Sequence, residues 1–392
     1  MKRFIFIGII LTTLLVSCKK EKYVDVAPGT LIESKEIKTI TKSECISLID
    51  SVDASGFATY DVQLLEVVYA STYQGKTIET SGMLFVPVGI DTFNLVTYCH
   101  GTVAPADIMG KKWGTPSQFK GEKFGFIESR NVGLSWATAG YTVFMPDYIG
   151  YGRTKKVEHP YVYYPELVNA IYDGTIAVKK YLLDQSAYYE NKLFLAGYSQ
   201  GGGASFFSHW YIDTYHSSEF NVTASLNLSG PYHIKRILQT IIEHKDEKQA
   251  NIGVYAWALY SINKFSELKR PNDYFFSYPV YDQGSSFLPP SKVPSKILNN
   301  FFMQQIQNGK DKEMIKVLER CWVAKNWYSP GKIYLYHGDQ DDFVPYFNSE
   351  DAYTTLSQNG VDVQFFTYTG KKHWNVLKPF ITDAKNQLDA LK

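Results

Sequence analysis

Ser199 in Gly197-Tyr198-Ser199-Gln200-Gly201, three carboxylates in His337-Gly338-Asp339-Gln340-Asp341-Asp342, and His373 after Lys371-Lys372 have the types and order for nucleophilic catalysis. A serine hydroxyl is a weak nucleophile until a base takes its proton, and the base needs a carboxylate to orient it. The apolar run Leu193-Phe194-Leu195-Ala196 precedes the Gly-x-Ser-x-Gly pattern, and Gly202-Gly203-Ala204 opens a helical segment after it. That context predicts a strand–turn–helix elbow with the serine in its sharp turn. Side chains at Gly197 or Gly201 would collide with neighbouring elements, so glycine is needed at both. The helix start then faces the charge that develops on a carbonyl oxygen, and Gln200 supplies one backbone N–H to it. Serine, then acid, then histidine is the chain order expected around such an elbow, and no other histidine follows the acids. Among Asp339, Asp341 and Asp342, spacing alone leaves the choice open. The chemistry indicated is acyl transfer through a covalent intermediate, with water as acceptor and no cofactor.

Short apolar runs must position these groups. Val62 to Tyr69 and Thr77 to Val86 read as strands joined by a turn at Gln74-Gly75-Lys76. Asn94–Cys99, Tyr141–Met145, Leu193–Ala196, Ala224–Leu228, Ile333–Tyr336 and Val363–Tyr368 read as further strands. Helical segments such as Pro165–Leu183 and Gly202–Tyr215 alternate with them. Such alternation predicts an α/β fold, a mostly parallel sheet covered by helices on both faces. The stretch from Ser229 to Lys332 is too long for one crossover, so residues 233–329 are expected to form a helical cap. Its aromatics, Trp257, Tyr260, Phe275 and Phe276 among them, suit the cap's own core, with an acyl or aryl groove as the alternative.

With the elbow, the acid loop and His373 in order, the chain resembles the α/β-hydrolases of the esterase and lipase type. It has secretory-lipase-like and prolyl-oligopeptidase-like features from about Asp61 to the C-terminus, weakest through the insertion. The resemblance implies Ser199 as nucleophile, His373 as base and an aspartate to orient it. The family pattern His-Gly-x-x-Asp-x-x-Val-Pro, matched by His337, Gly338, Val344 and Pro345, puts that acid at Asp341. Asp339 and Asp342 are then loop charges or caps. The family's His-Gly-x loop, matched by His100-Gly101-Thr102, implies Thr102 as the second oxyanion N–H beside Gln200. Pro146 to Gly152 resembles the loop that shapes one wall of the cleft. An ester substrate is favoured, whether small molecule, lipid or carbohydrate. A cap-type serine peptidase is the enzymatic rival, and an inactive hydrolase-fold binding lipoprotein the rival outside catalysis. His100 and His337 are expected to make structural hydrogen bonds, His209 and His216 to sit on the helix after the elbow, and His159, His233 and His244 to lie in loops or at the surface.

The N-terminus reads as an address. Met1-Lys2-Arg3 precedes an apolar run, Phe4 to Val16, that falls short of the roughly 20 residues needed to span a bilayer. Leu15-Val16-Ser17-Cys18 resembles a bacterial lipobox. That implies a signal peptide over 1–17, lipidation at Cys18 and membrane attachment through the lipid. With Lys19 next, the outer membrane is expected, facing either the periplasm or the outside. Residues 18–39 are expected to form a tether, and 40–232 with 330–392 the hydrolase domain. Cys45, Cys99 and Cys321 are an odd set for an oxidising compartment and are expected to be mostly buried thiols. With 40 Lys+Arg against 39 Asp+Glu, the chain lacks the basic excess of a nucleic-acid binder. Its 45% hydrophobic content is enough for a sizeable core.

Overall fold

The computed structural model describes residues 22–105, 108 and 114–392. Cys18, with the whole expected signal peptide, lies outside the described residues. The first element is β1 (Leu31–Ile40), which pairs antiparallel with β2 (Val62–Tyr73). This corrects the expected tether, since residues 31–39 belong to the sheet. The strand left no alternating signal because it lies at the sheet edge with most side chains exposed. Its lysines and glutamates suit an edge that must not recruit another chain. Between them α1 (Lys42–Ile49) starts at a capping box, in which Thr41 accepts from the Glu44 amide and the Glu44 carboxylate accepts from the Thr41 amide.

β2 turns directly into β3 (Lys76–Pro87). Gln74 and Gly75 both have positive φ, 48° and 74°, as the two-residue turn of a tight hairpin requires. β4 (Thr92–Cys99), β5 (Thr142–Pro146), β6 (Tyr188–Tyr198), β7 (Val222–Leu228), β8 (Lys332–Gly338) and β9 (Val363–Tyr368) complete the sheet. Its order is β1-β2-β3-β5-β4-β6-β7-β8-β9, antiparallel as far as β5 and parallel from there on. The α-helices of eight or more residues that follow α1 are α2 (Tyr164–Asp184), α3 (Gln200–Tyr215), α4 (Ile234–Glu243), α5 (Ile252–Phe265), α6 (Asn300–Gln307), α7 (Lys312–Arg320), α8 (Phe347–Gln358) and α9 (Leu377–Ala390).

Side-chain alternation along β6 shows why the sheet is covered twice. Leu193 and Leu195 share a core with Val178 of α2 and Ile212 of α3. Phe194 and Ala196 share another with Phe380 and Ile381 of α9 and with Cys45 and Ile49 of α1. Each leucine, isoleucine, valine or phenylalanine among them, fully buried, contributes about 1.5–3 kcal/mol. The segment between β7 and β8 carries α4 to α7, whose apolar faces join a third core with α2 and α3. Trp257, Tyr260, Phe275 and Phe276 are buried there, whereas Tyr281 is exposed. Cys45, Cys99 and Cys321 are buried free thiols.

Candidate active site

The strand-to-helix turn after β6 holds Ser199 at φ 58°, ψ −123°, a conformation strained for any residue with a side chain. The turn is locked where β6 meets β7, because the Ser199 amide donates to the Leu228 carbonyl (2.9 Å). The flanking glycines are required by close approach. A Cβ on Gly197 would lie 2.1 Å from the Gly201 oxygen, and one on Gly201 would lie 1.9 Å from the Cys99 oxygen.

His373 follows β9 in a short 3-10 turn, and the Ser199 hydroxyl donates to its Nε2 (2.9 Å). The imidazole is clamped between the Tyr198 ring (5.1 Å, 30°) and the Phe343 ring (4.8 Å, 21°). Its Nδ1–H donates to Asp341 Oδ2 (2.7 Å), which fixes the tautomer with a free lone pair toward the serine. Asp341 lies in the loop after β8, where its Oδ1 accepts from the Phe343 and Val344 amides (2.9 and 2.8 Å). Burial opposes its charge, but hydrogen bonds from His337 and His373 outweigh that and hold its carboxyl well below the usual range. Asp339 and Asp342 turn away. Asp339 accepts from the Gly370 amide (2.7 Å), and Asp342 pairs with Lys372 (3.0 Å).

Of three further histidines only His159 departs from its sequence reading; His337 makes structural hydrogen bonds and His209 lies on the helix after the elbow, as expected. His337 stands behind the acid, 3.2 Å from Asp341 Oδ2, with its Nε2–H also donating to the Val344 carbonyl (3.0 Å) and its Nδ1 on Ser349 (2.8 Å). His159 is not a surface residue. It is buried, donates to the Ile149 carbonyl (2.7 Å) and accepts from the Gln200 side chain (2.5 Å). His209 is buried between Ser225 and Ser329. Burial lowers His159 to about 3 and His209 to about 4, so both fold neutral.

These two shifts predict an acid-labile fold. A buried histidine with a depressed pKa stabilises fully above about pH 6.5, and that stabilisation is lost as the pH falls toward the folded value. The loss is on the order of 3–5 kcal/mol for each. Two carboxyls oppose it. Burial pushes Glu128 up to about 7 and Asp173 up to about 6, so protonating them favours the folded state down to about pH 4.5. The melting temperature should therefore change little from about pH 7 to 5 and fall steeply between about 4.5 and 3. In His209→Gln, which keeps a donor and an acceptor, the steep fall should begin at lower pH. An unchanged acid midpoint in melting curves of that variant would refute the assignment.

Gln200 is the first residue of α3, so its N–H is one of the four at a helix start without an intrahelical partner. Thr102 follows β4 and bonds the Tyr161 hydroxyl through its Oγ1 (2.9 Å). The Gly101 amide is already engaged, donating to both oxygens of Glu128 (2.9 and 3.0 Å). That carboxylate also accepts from the Tyr98 hydroxyl (2.7 Å). No sequence motif marked Glu128, because its partners lie 27 and 30 residues away in the chain. Thr102, Glu128 and Ser199 open on one cavity of about 420 Å³, whose other walls include Phe126, Ile127, Phe343 and Trp374. This is the size and apolar character of a small-molecule site. The segment after β7 reaches this site too, since Tyr255 donates to the Phe343 carbonyl and Asn251 to the Asp342 carbonyl. Among the described residues no group of His, Cys, Asp and Glu is arranged to hold a metal, and no helix is long and apolar enough to cross a membrane.

The rice cell wall degrading esterase LipA of Xanthomonas oryzae superposes with a TM-score of 0.78 at 21% identity, over 94% of this chain and all of that one. The fold is that of the α/β-hydrolases. A Legionella pneumophila protein matches this hydrolase fold equally well (TM-score 0.78, 19% identity, 92% of this chain and 98% of that one). Lipase A of Candida antarctica in its closed state is more distant, at a TM-score of 0.65 and 15% identity over 93% of this chain and 83% of that one. Residues 277–388 match the prolyl oligopeptidase family. That stretch contains Asp341 and His373 but not the elbow. No match was found among curated proteins.

Proposed function

We propose that the chain is a serine hydrolase that cleaves carboxylic esters. The observation that carries this is the unbroken line of hydrogen bonds from Ser199 through His373 to Asp341, opening on an apolar cavity. In this reading His373 Nε2 takes the Ser199 proton as Oγ attacks the ester carbonyl carbon. The amides of Gln200 and Thr102 stabilise the oxyanion. His373 then passes its proton to the departing alkoxide, leaving an acyl-enzyme. Water, deprotonated by the same histidine, adds to the acyl carbon, and Ser199 leaves with the proton back on Oγ. Asp341 orients His373 and stabilises its cationic form throughout. Residues 233–329 act as the cap over the cleft, and Cys18 carries the lipid that holds the enzyme at the cell envelope.

The fold relatives named esterase and lipase support an ester substrate, as does the apolar wall of the cavity. The match of residues 277–388 to the prolyl oligopeptidase family favours a second reading, a serine peptidase with the same machinery. A panel of p-nitrophenyl esters from acetate to palmitate, run beside aminoacyl-p-nitroanilides, separates the two. Turnover of the esters is expected, with the chain-length optimum reporting how much of the cavity the acyl group fills. Cleavage of the anilides alone would move the assignment to peptidase, and no turnover in either panel would remove the enzyme reading.

A further inference from the structure

Glu128 is the sole Asp, Glu, Lys or Arg among the described residues lining the cavity above Ser199. The backbone around it departs from regular helix on both sides. Phe126 sits at φ 44°, and a π-helical turn, Ser129–Leu134, begins immediately after the glutamate. Such strain and π-turns gather at functional sites because regular helix would aim the side chain elsewhere. What the carboxylate holds is specific. One hydrogen bond comes from Tyr98 on β4, and the Gly101 amide spans both oxygens. The approach is close, since a Cβ on Gly101 would lie 3.1 Å from Glu128 Oε1 and 3.3 Å from the Tyr198 ring.

Gly101 N–H and Thr102 N–H are consecutive amides, so fixing the first restricts the direction of the second. The far side of Thr102 is held as well. Its hydroxyl meets that of Tyr161, whose ring stacks flat on Trp257 (4.0 Å, 4°). We propose that Glu128 is a positioning residue of the oxyanion loop: by binding the Gly101 amide it directs the Thr102 amide at the carbonyl oxygen of a substrate on Ser199. This rests on the serine-hydrolase reading above. Glutamine is a poor replacement, because either orientation of its amide puts an NH2 donor within 3.0 Å of the Gly101 amide, which also donates.

The test is the rate at which a fluorophosphonate labels Ser199, measured beside kcat and KM on an ester, for wild type, Glu128→Gln and Tyr98→Phe. In labelling, Oγ bonds to phosphorus, fluoride departs, and the phosphoryl oxygen takes the oxyanion position whatever the natural substrate. For Glu128→Gln, labelling rate and kcat should fall together by about 10- to 100-fold, with KM changed by less than about threefold. Tyr98→Phe, which removes one of the bonds that aim the carboxylate, should fall in the same sense by about threefold to tenfold. Melting curves establish that each variant is folded, and Tyr98→Phe decides alone if Glu128→Gln is not. Labelling within about twofold of wild type in the folded variants would overturn the proposal. A raised KM at unchanged kcat would also overturn it, by showing that Glu128 holds the substrate rather than the loop. Wild type that does not label would instead remove the serine-hydrolase reading, and this proposal with it.

Discussion

Ser199→Ala is expected to lower kcat on the preferred ester by about 10⁶-fold, to the level that binding and the oxyanion amides sustain alone. Among the described residues the hydroxyl has one partner, His373 Nε2, so the change removes the attacking atom and leaves the clamp around the imidazole intact. Stability should barely change. The strained φ of 58° is retained by alanine, and the bond from the residue 199 amide to Leu228 is a backbone bond. The check is ester turnover in purified protein with a melting temperature near that of wild type. Turnover at the wild-type rate would mean that another residue supplies the nucleophile.

Asp341→Asn is expected to cost about 10⁴-fold in kcat, through the tautomer of His373 rather than through loss of contact. Two backbone amides donate to Asp341 Oδ1, so the one oxygen of asparagine must stay there. Its NH2 then occupies the place of Oδ2 and meets His373 Nδ1, which can no longer donate. The ring responds by accepting at Nδ1 and carrying its proton on Nε2, and in that form it cannot take a proton from Ser199. The same NH2 also faces the Nε2–H of His337, which retains the Val344 carbonyl as an acceptor. Asp339→Asn and Asp342→Asn should keep kcat within about threefold of wild type, because their partners are Gly370 and Lys372 in the loop. A comparable loss in either of these, with Asp341→Asn unaffected, would shift the acid by one or two residues.

The sequence by itself determined the fold class, the elbow and the order of serine, acid and histidine. The reason is locality. An elbow is written in five consecutive residues with an apolar strand before them, and the register of the acid loop is written from His337 to Pro345. Buried parallel strands are continuous apolar runs and so are legible without any partner. β1 was not legible, because an edge strand with exposed side chains owes its existence to the backbone bonds of β2 rather than to its own pattern.

Only the tertiary structure decided which groups surround the triad. His337 behind Asp341, His159 under Gln200 and Glu128 on Gly101 act across 4, 41 and 27 residues of chain, and the last two are joined by sheet closure and loop packing. A lone histidine or glutamate carries no periodicity, so its sequence neighbours cannot tell a surface charge from a buried partner. The difference between them is desolvation, which exists only once the chain has folded around the group.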